Sequence, residues 1–258
     1  MRMAPVDAAV TYLRQYLDAA AAHGRSWVID PAPLTQSIEV HSEHWRDGIE
    51  SLELDDDVRA GIEQALQDVA ARGDHVDRSL ITAYAQAAGD SPAALVRCWF
   101  AVMAWGAGPQ NRSRLRQWVR AIPTAGFVEA LEQSHTELAA GRHAAAYTTI
   151  RALPGLGEAY LTKWLWALGL GGGVPDPQPY ILDNYVWQTL NRLGWSAQGR
   201  NNAERWVDFC RTTEGWADQV AEAHPDWHID GGRVEQVLFD RGRYGTHFYA
   251  WLGDHQAN

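Results

Sequence analysis

The chain has 258 residues, of which 46% are hydrophobic and 21% charged, and its formal net charge is −10 at pH 7. This length allows one large domain or two small ones, and the composition is that of a folded soluble protein, which excludes a disordered or membrane-spanning chain. Cys98 and Cys210 are too few for an iron–sulfur cluster or a disulfide framework, and the first residues lack the apolar core of a secretory signal, so we expect a cytoplasmic protein.

Apolar residues recur at helical spacing along most of the chain, whereas strand-like alternation is nowhere long enough for a sheet. Ser91 followed by Pro92 is a typical helix start, and glycines end several of the runs. Residues 26–50, which include two prolines, are predicted as a loop or the remnant of a strand. The pattern predicts an all-α protein with helices at 6–24, 55–73, 78–89, 91–106, 112–122, 126–141, 143–153, 158–170, 180–194, 204–223 and 231–253.

The charge is distributed unevenly, which matters more for a nucleic-acid partner than the acidic total does. Residues 1–96 carry 7 basic and 16 acidic groups, residues 97–195 carry 9 and 6, and residues 196–258 carry 6 and 10. The middle third is therefore the only net-positive part of the chain.

A five-residue turn lies between two predicted helices of this middle third. Glycines let the backbone turn sharply and expose N–H groups, which together with the start of the next helix form an anion site suited to a DNA phosphate. The alternative is a plain helix–turn–helix corner with Pro-Gly punctuation. The turn consists of Leu153, Pro154, Gly155, Leu156 and Gly157.

A lysine and an aspartate that follow the turn complete a recognisable pattern. Lys163 is the only lysine in the chain, and Asp183 follows twenty residues later, past a glycine-rich loop and at the start of a predicted helix. The turn, the lysine and the aspartate resemble the helix-hairpin-helix DNA glycosylase superfamily. The runs YLTKWLW and ILDNYV are most similar to bacterial proteins of the 8-oxoguanine DNA glycosylase fold, and the resemblance covers residues 97–195.

This resemblance implies two helical lobes and three segments. They are an N-terminal helical region at 1–96, a helix-hairpin-helix glycosylase domain at 97–195, and C-terminal helices at 196–258 that pack back on the N-terminal region. It also implies the roles of the site residues. Those expected are Lys163 and Asp183 for catalysis, the five turn residues with Asn111, Arg112 and Arg116 for DNA binding, and Ala159, Trp164 and Phe248 for the base pocket.

The lysine departs from the pattern of most bifunctional members, in which it lies two residues after the second glycine of the hairpin. Ala159 occupies that position here, and Lys163 lies one helical turn further along the same face. Excision of a base develops positive charge on the sugar, which a carboxylate stabilises, while an unprotonated amine can attack C1′ to give a Schiff base. Burial can deprotonate lysine but not arginine, which gives a reason for a single lysine here; compositional drift is the alternative. For Asp183 the alternative is a helix N-cap.

After the turn and the lysine–aspartate pair, a basic segment is the third feature that points to DNA binding. Arg112, Arg116 and Arg120 share one face of a predicted helix and are expected to face phosphates. By its position the loop before this helix resembles the family's loop that fills the gap left by a flipped base, and Asn111 and Arg112 are the residues expected to enter that gap. The alternative is a solvated helix face paired with the acidic flanks.

The sequence thus predicts a monomeric DNA glycosylase that acts on double-stranded DNA containing a modified base, an oxidised purine by resemblance, with lyase activity through Lys163. We expect no cofactor, no metal and no membrane association. Two alternatives stay open: a monofunctional glycosylase that uses Asp183 with water, and a non-catalytic DNA-binding module.

Overall fold

The structure is a computed structural model that describes residues 6–23, 36–50, 52–108, 121–197, 199 and 201–245. This part of the chain is helical except for loops and one two-stranded sheet, which confirms the predicted all-α class. Its helices are α1 (Val6–Ala22), α2 (Ser42–Glu50), α3 (Asp56–Ala71), α4 (Arg78–Gln86), α5 (Pro92–Ala107), α6 (Phe127–Ala139), α7 (His143–Arg151), α8 (Glu158–Leu170), α9 (Asn184–Arg192), α10 (Asn202–Ala223) and α11 (Gly231–Tyr244).

The chain divides into two compact units. One consists of Thr35–Pro179, and the other combines Met1–Leu34 with Tyr180–Asn258. The three segments inferred from the sequence, with boundaries after residues 96 and 195, stay a prediction.

The core of the first unit is built around α5, which contacts α3, α4, α6 and α8. The helix begins as its sequence predicts, because Ser91 Oγ accepts the N–H of Ala94 at 3.1 Å and Pro92 occupies the first helical position. Its side chains from Leu95 to Trp105 are buried almost all the way round. A helix that is apolar on every face belongs in the interior, and α5 therefore forms the central element of this unit.

Residues 42–50 were predicted as loop or strand remnant, and this prediction was wrong, because they form α2. Trp45 and Ile49 lie one turn apart and are both buried, and the Trp45 ring meets Phe100 of α5 edge-on, with 5.0 Å between the ring centroids. Tertiary burial of these two side chains explains a short helix whose other residues are mostly polar. The sheet is confined to β1 (Ile38–Glu39), which pairs antiparallel with β2 (His75–Val76).

The second unit consists, in its described part, of α1, α9, α10 and α11. Helix α11 packs on α9 and α10, and α1 packs on α10 and α11. Arg14 of α1 donates a hydrogen bond to the carbonyl of Gln219 in α10 at 2.8 Å. Side chains and backbone therefore join the N-terminal helix to the C-terminal ones within this unit.

Candidate active site

Helices α7 and α8 are joined by the turn that the sequence singled out. Leu153 and Leu156 are buried and anchor the turn, whereas Pro154, Gly155 and Gly157 are exposed. Gly155 has a φ of +80°, which favours glycine, and Gly157 is extended and precedes the first residue of α8. Gly157 brings no side chain that could cap the helix, and its carbonyl accepts the N–H groups of Tyr160 and Leu161, both at 3.1 Å. The turn thus presents exposed glycine backbone directly before the start of α8.

Two side-chain contacts brace this turn. The Tyr147 hydroxyl of α7 donates to Glu158 Oε1 in the first turn of α8 at 2.8 Å, and Arg151 Nη1 donates to the carbonyl of Leu156 at 3.3 Å. Together they link the end of α7 to the start of α8. Sequence reasoning missed both partners, since neither spacing is diagnostic without the fold.

Lys163 occupies the one gap in a buried stretch of α8. Between Tyr160 and Leu168, Lys163 is partly exposed and all the remaining residues are buried. Its Nζ lies 5.9 Å from the centroid of the Tyr160 ring. The lysine lies on the same helix face as the partly exposed Ala159.

The stem of Lys163 crosses α5 at Gly106. A Cβ atom built on Gly106 would come within 2.8 Å of Lys163 Cδ, 3.5 Å of its Cε and 3.3 Å of Tyr160 Cε1. Real Cβ atoms do not approach other atoms to 2.8 Å, so the lysine occupies space that any other residue at position 106 would fill. Sequence reasoning read Gly106 only as the end of a helix.

An aromatic stack lies beside this crossing. Trp105 of α5 and Trp166 of α8 stack with 5.2 Å between centroids and 18° between ring planes. The Arg78 guanidinium of α4 lies 4.9 Å from the Trp166 centroid, and the Trp105 indole N–H donates to the carbonyl of Gln36 at 3.1 Å. Cation–π and stacking contacts of this kind fix the helices that carry them.

The residues assigned to a base pocket differ in exposure. Ala159 is partly exposed, whereas Trp164 has no exposed surface and its indole N–H donates to Ser134 Oγ at 3.0 Å. We therefore place Trp164 in the core and not on a pocket surface. Phe248 lies outside the described residues, and so do Asn111, Arg112 and Arg116.

Asp183 is the N-cap of α9. Its Oδ1 accepts the backbone N–H groups of Tyr185 at 2.9 Å and Val186 at 3.0 Å, and the residue is only 8% exposed. The sequence placed Asp183 inside the first turn of a helix over 180–194, and this was wrong. The helix begins at Asn184, because the side chain of Asp183 satisfies the first N–H groups from outside the helix.

The residues on either side of Asp183 make close contacts with α10 and α11 of the same unit. The carbonyl of Tyr180 accepts the indole N–H of Trp206 at 3.0 Å, and the Tyr180 hydroxyl lies directly against Gly231, at a distance that leaves no room for a Cβ. Burial raises the pKa of the Tyr180 hydroxyl well above its ordinary value, so this group stays neutral. Gly242 of α11 lies against the backbone of Tyr185, where a Cβ would overlap the carbonyl oxygen. These contacts give the aspartate a fixed position relative to α10 and α11.

The described residues contain neither a candidate metal site nor a candidate membrane-spanning helix. In the described part of the chain, no three His, Cys, Asp or Glu side chains are grouped as they would be around a metal ion. Nor does any helix there combine the length and apolar character needed to cross a membrane.

A family model described as "Putative 8-oxoguanine DNA glycosylase OGG-like protein" matches residues 31–239. No curated protein and no solved structure matches the chain.

Proposed function

The chain belongs to the family of 8-oxoguanine DNA glycosylase OGG-like proteins, and from this premise we propose that it excises an oxidised purine from double-stranded DNA and then cleaves the strand through a lysine Schiff base. The family identifies the protein as a DNA glycosylase and its substrate as DNA. The base, the lyase step and the residue roles below are our proposal.

The observation that carries the proposal is the position of Lys163. The chain has one lysine, and it occupies the single partly exposed position in the buried stretch Tyr160–Leu168 of α8, the helix that leaves the turn. A nucleophilic amine must be both deprotonatable and accessible, and a half-buried lysine meets these two requirements where an arginine would not.

The proposed reaction begins with attack of the unprotonated Lys163 Nζ on C1′ of the damaged nucleotide. The bond from C1′ to the base nitrogen breaks, and its electron pair leaves with the base, which takes up a proton. The sugar ring then opens as O4′ leaves C1′ and is protonated, giving an imine between C1′ and Nζ. Loss of a C2′ proton expels the 3′ phosphate and nicks the strand.

Asp183 is the proposed carboxylate for this reaction. Positive charge develops on the sugar as the base departs, and a preorganised carboxylate stabilises it without reorganising at the moment of reaction. Both capping bonds end on Oδ1. They fix the orientation of the carboxyl group.

We propose that α7, the turn and α8 act together as a helix-hairpin-helix element that binds a DNA phosphate through the rim at Gly155 and Gly157. Such contacts position the duplex without reading its sequence. Asn111 and Arg112 are proposed to enter the gap left by the extruded base, and Arg116 is proposed to face phosphates. The excess of basic over acidic groups in residues 97–195, 9 against 6, supports this assignment.

One observation favours a second candidate, a monofunctional glycosylase. The position of the lysine in most bifunctional relatives is Ala159 here, so Asp183 could activate water while Lys163 lines the base pocket. The two candidates share base excision and differ in the covalent step.

A panel of duplexes, each with one oxidised or alkylated base, tests the proposal. Free base is measured by chromatography and strand nicking by gel electrophoresis. Release with nicking supports the bifunctional enzyme, and release without nicking supports the monofunctional one. Binding with neither would leave only a DNA-binding module.

A further inference from the structure

We propose that Gly106 is a positioning residue for Lys163: the missing side chain on α5 leaves a groove that holds the lysine stem and thereby aims its amine. The inference rests on the proposed function only because it takes that amine as the nucleophile. The groove itself is inferred from the interatomic distances around Gly106.

The contact is made by carbons, not by the amine. Lys163 Cδ would lie 2.8 Å, and its Cε 3.5 Å, from a Cβ on Gly106, and Tyr160 Cε1 would lie 3.3 Å away on the same side. Long charged side chains commonly lay their methylene groups along a surface while the head group stays solvated. Here the surface is the backbone of Gly106, with the Tyr160 ring as a second wall.

Contacts on either side of this groove hold α5, α8 and α4 close together. The Trp105 and Trp166 rings stack at 5.2 Å on the α5–α8 contact, with Arg78 over the stack. Just beyond α8, a Cβ on Gly171 would meet the carbonyl oxygen of Ala85 at 2.7 Å, so the end of α8 also lies close against α4. An added methyl group at position 106 must therefore be accommodated by the flexible lysine.

Moving the stem moves the amine. Nucleophilic attack requires the reacting atoms to be about 3–3.5 Å apart and aligned, and a misplacement of about 1 Å can cost about a hundredfold in rate. Gly106→Ala is therefore expected to lower the rate of covalent trapping by about a hundredfold while the fold is kept.

Gly215→Ala is the matched control. Gly215 lies within α10, and a Cβ built on it meets nothing within 4 Å. Both substitutions replace a helical glycine by alanine and so gain helix propensity, but only the one at position 106 meets the lysine.

The single lysine allows a test that needs no enzymatic activity. Wild type, Gly106→Ala and Gly215→Ala are reductively methylated with formaldehyde and cyanoborohydride across the pH range in which a lysine amine titrates. The rate at the Lys163 peptide is followed by mass spectrometry, which separates it from the N-terminal amine. We expect a changed pH profile in Gly106→Ala and a profile that superimposes on wild type in Gly215→Ala. Superimposed profiles for all three proteins would overturn the inference.

A double-mutant cycle gives a second readout. The free energy of unfolding is measured for wild type, Gly106→Ala, Lys163→Ala and the double variant. If the methyl group and the lysine stem compete for one space, truncating the lysine relieves the effect of the methyl group, and the two changes are non-additive. Additive changes would contradict the groove.

These outcomes are separable from the proposed function. If wild-type protein is trapped on damaged DNA and Gly106→Ala is trapped at the same rate, the positioning role is wrong and the lyase stands. If wild type is trapped on no lesion, the proposed lyase is wrong, while the methylation profile and the cycle still decide whether Gly106 holds the lysine.

Discussion

The carboxylate of Asp183 accepts the backbone N–H of Val186 at 3.0 Å, so one side chain both starts helix α9 and carries the charge that the proposed chemistry needs. The two roles are separable by substitution, because capping requires a hydrogen-bond acceptor, whereas stabilising a cationic sugar requires a negative charge.

Asp183→Asn should keep the cap and remove the charge. Asparagine caps helices about as well as aspartate, so we expect the free energy of unfolding to stay within about 0.5 kcal/mol of wild type. Base release should fall sharply while DNA affinity is kept, as measured by single-turnover release and fluorescence anisotropy. Asp183→Ala, which removes both functions, should in addition lose about 1 kcal/mol of stability. Unchanged turnover in Asp183→Asn would contradict the catalytic role.

The two glycines of the turn should separate folding from DNA binding. Gly155 has a φ of +80°, so Gly155→Ala should destabilise the protein by about 1 kcal/mol, measured by urea unfolding. Gly157 has a φ of −75°, and a Cβ added to it would meet nothing within 4 Å, so Gly157→Ala should fold as wild type does. If a phosphate binds at this rim, the added methyl group should nonetheless weaken binding to undamaged duplex. Full DNA affinity in Gly157→Ala would contradict the proposed contact.

Gly242→Ala should disturb the packing of α9, the helix that Asp183 caps. A Cβ at this position would overlap the carbonyl oxygen of Tyr185, which is backbone and cannot rotate away. Overpacking of this kind costs about 1–3 kcal/mol, and we expect such a loss in the free energy of unfolding, together with slower base release. Gly215→Ala serves again as the control and should not be destabilised. Equal stability of the two variants would show that α11 does not approach α9 as described.

The sequence predicted the helices well where local signals were strong. Ser91 and Pro92 mark the start of α5, and both act there as their types predict. It failed at α2, because burial of Trp45 and Ile49 within the first unit is a tertiary effect that the local polar sequence does not reveal. It also extended α9 backwards past Asp183, since a capping aspartate and a first-turn aspartate look alike without the backbone angles.

The sequence was enough to single out the lysine and the aspartate of the candidate site, but not the residues that pack around them. A lone lysine after a Pro-Gly turn and an aspartate before a helical run can be read from a printed sequence. The groove at Gly106 and the close approach at Gly242 cannot, because a glycine within a helical pattern carries no record of what lies across from it. Nor could the sequence distinguish Trp164, which is fully buried, from a tryptophan at a pocket surface.

Borohydride trapping tests the central claim most directly. Duplex DNA with a single 8-oxoguanine is incubated with the protein in the presence of borohydride, and the adduct is mapped by mass spectrometry of its peptides. We predict a covalent adduct on the Lys163 peptide that is lost in both Lys163→Gln and Lys163→Arg, with Arg59→Gln, on the exposed face of α3, as the control that keeps it. An adduct that persists in Lys163→Arg, or strand nicking by wild type without any adduct on Lys163, would contradict the account.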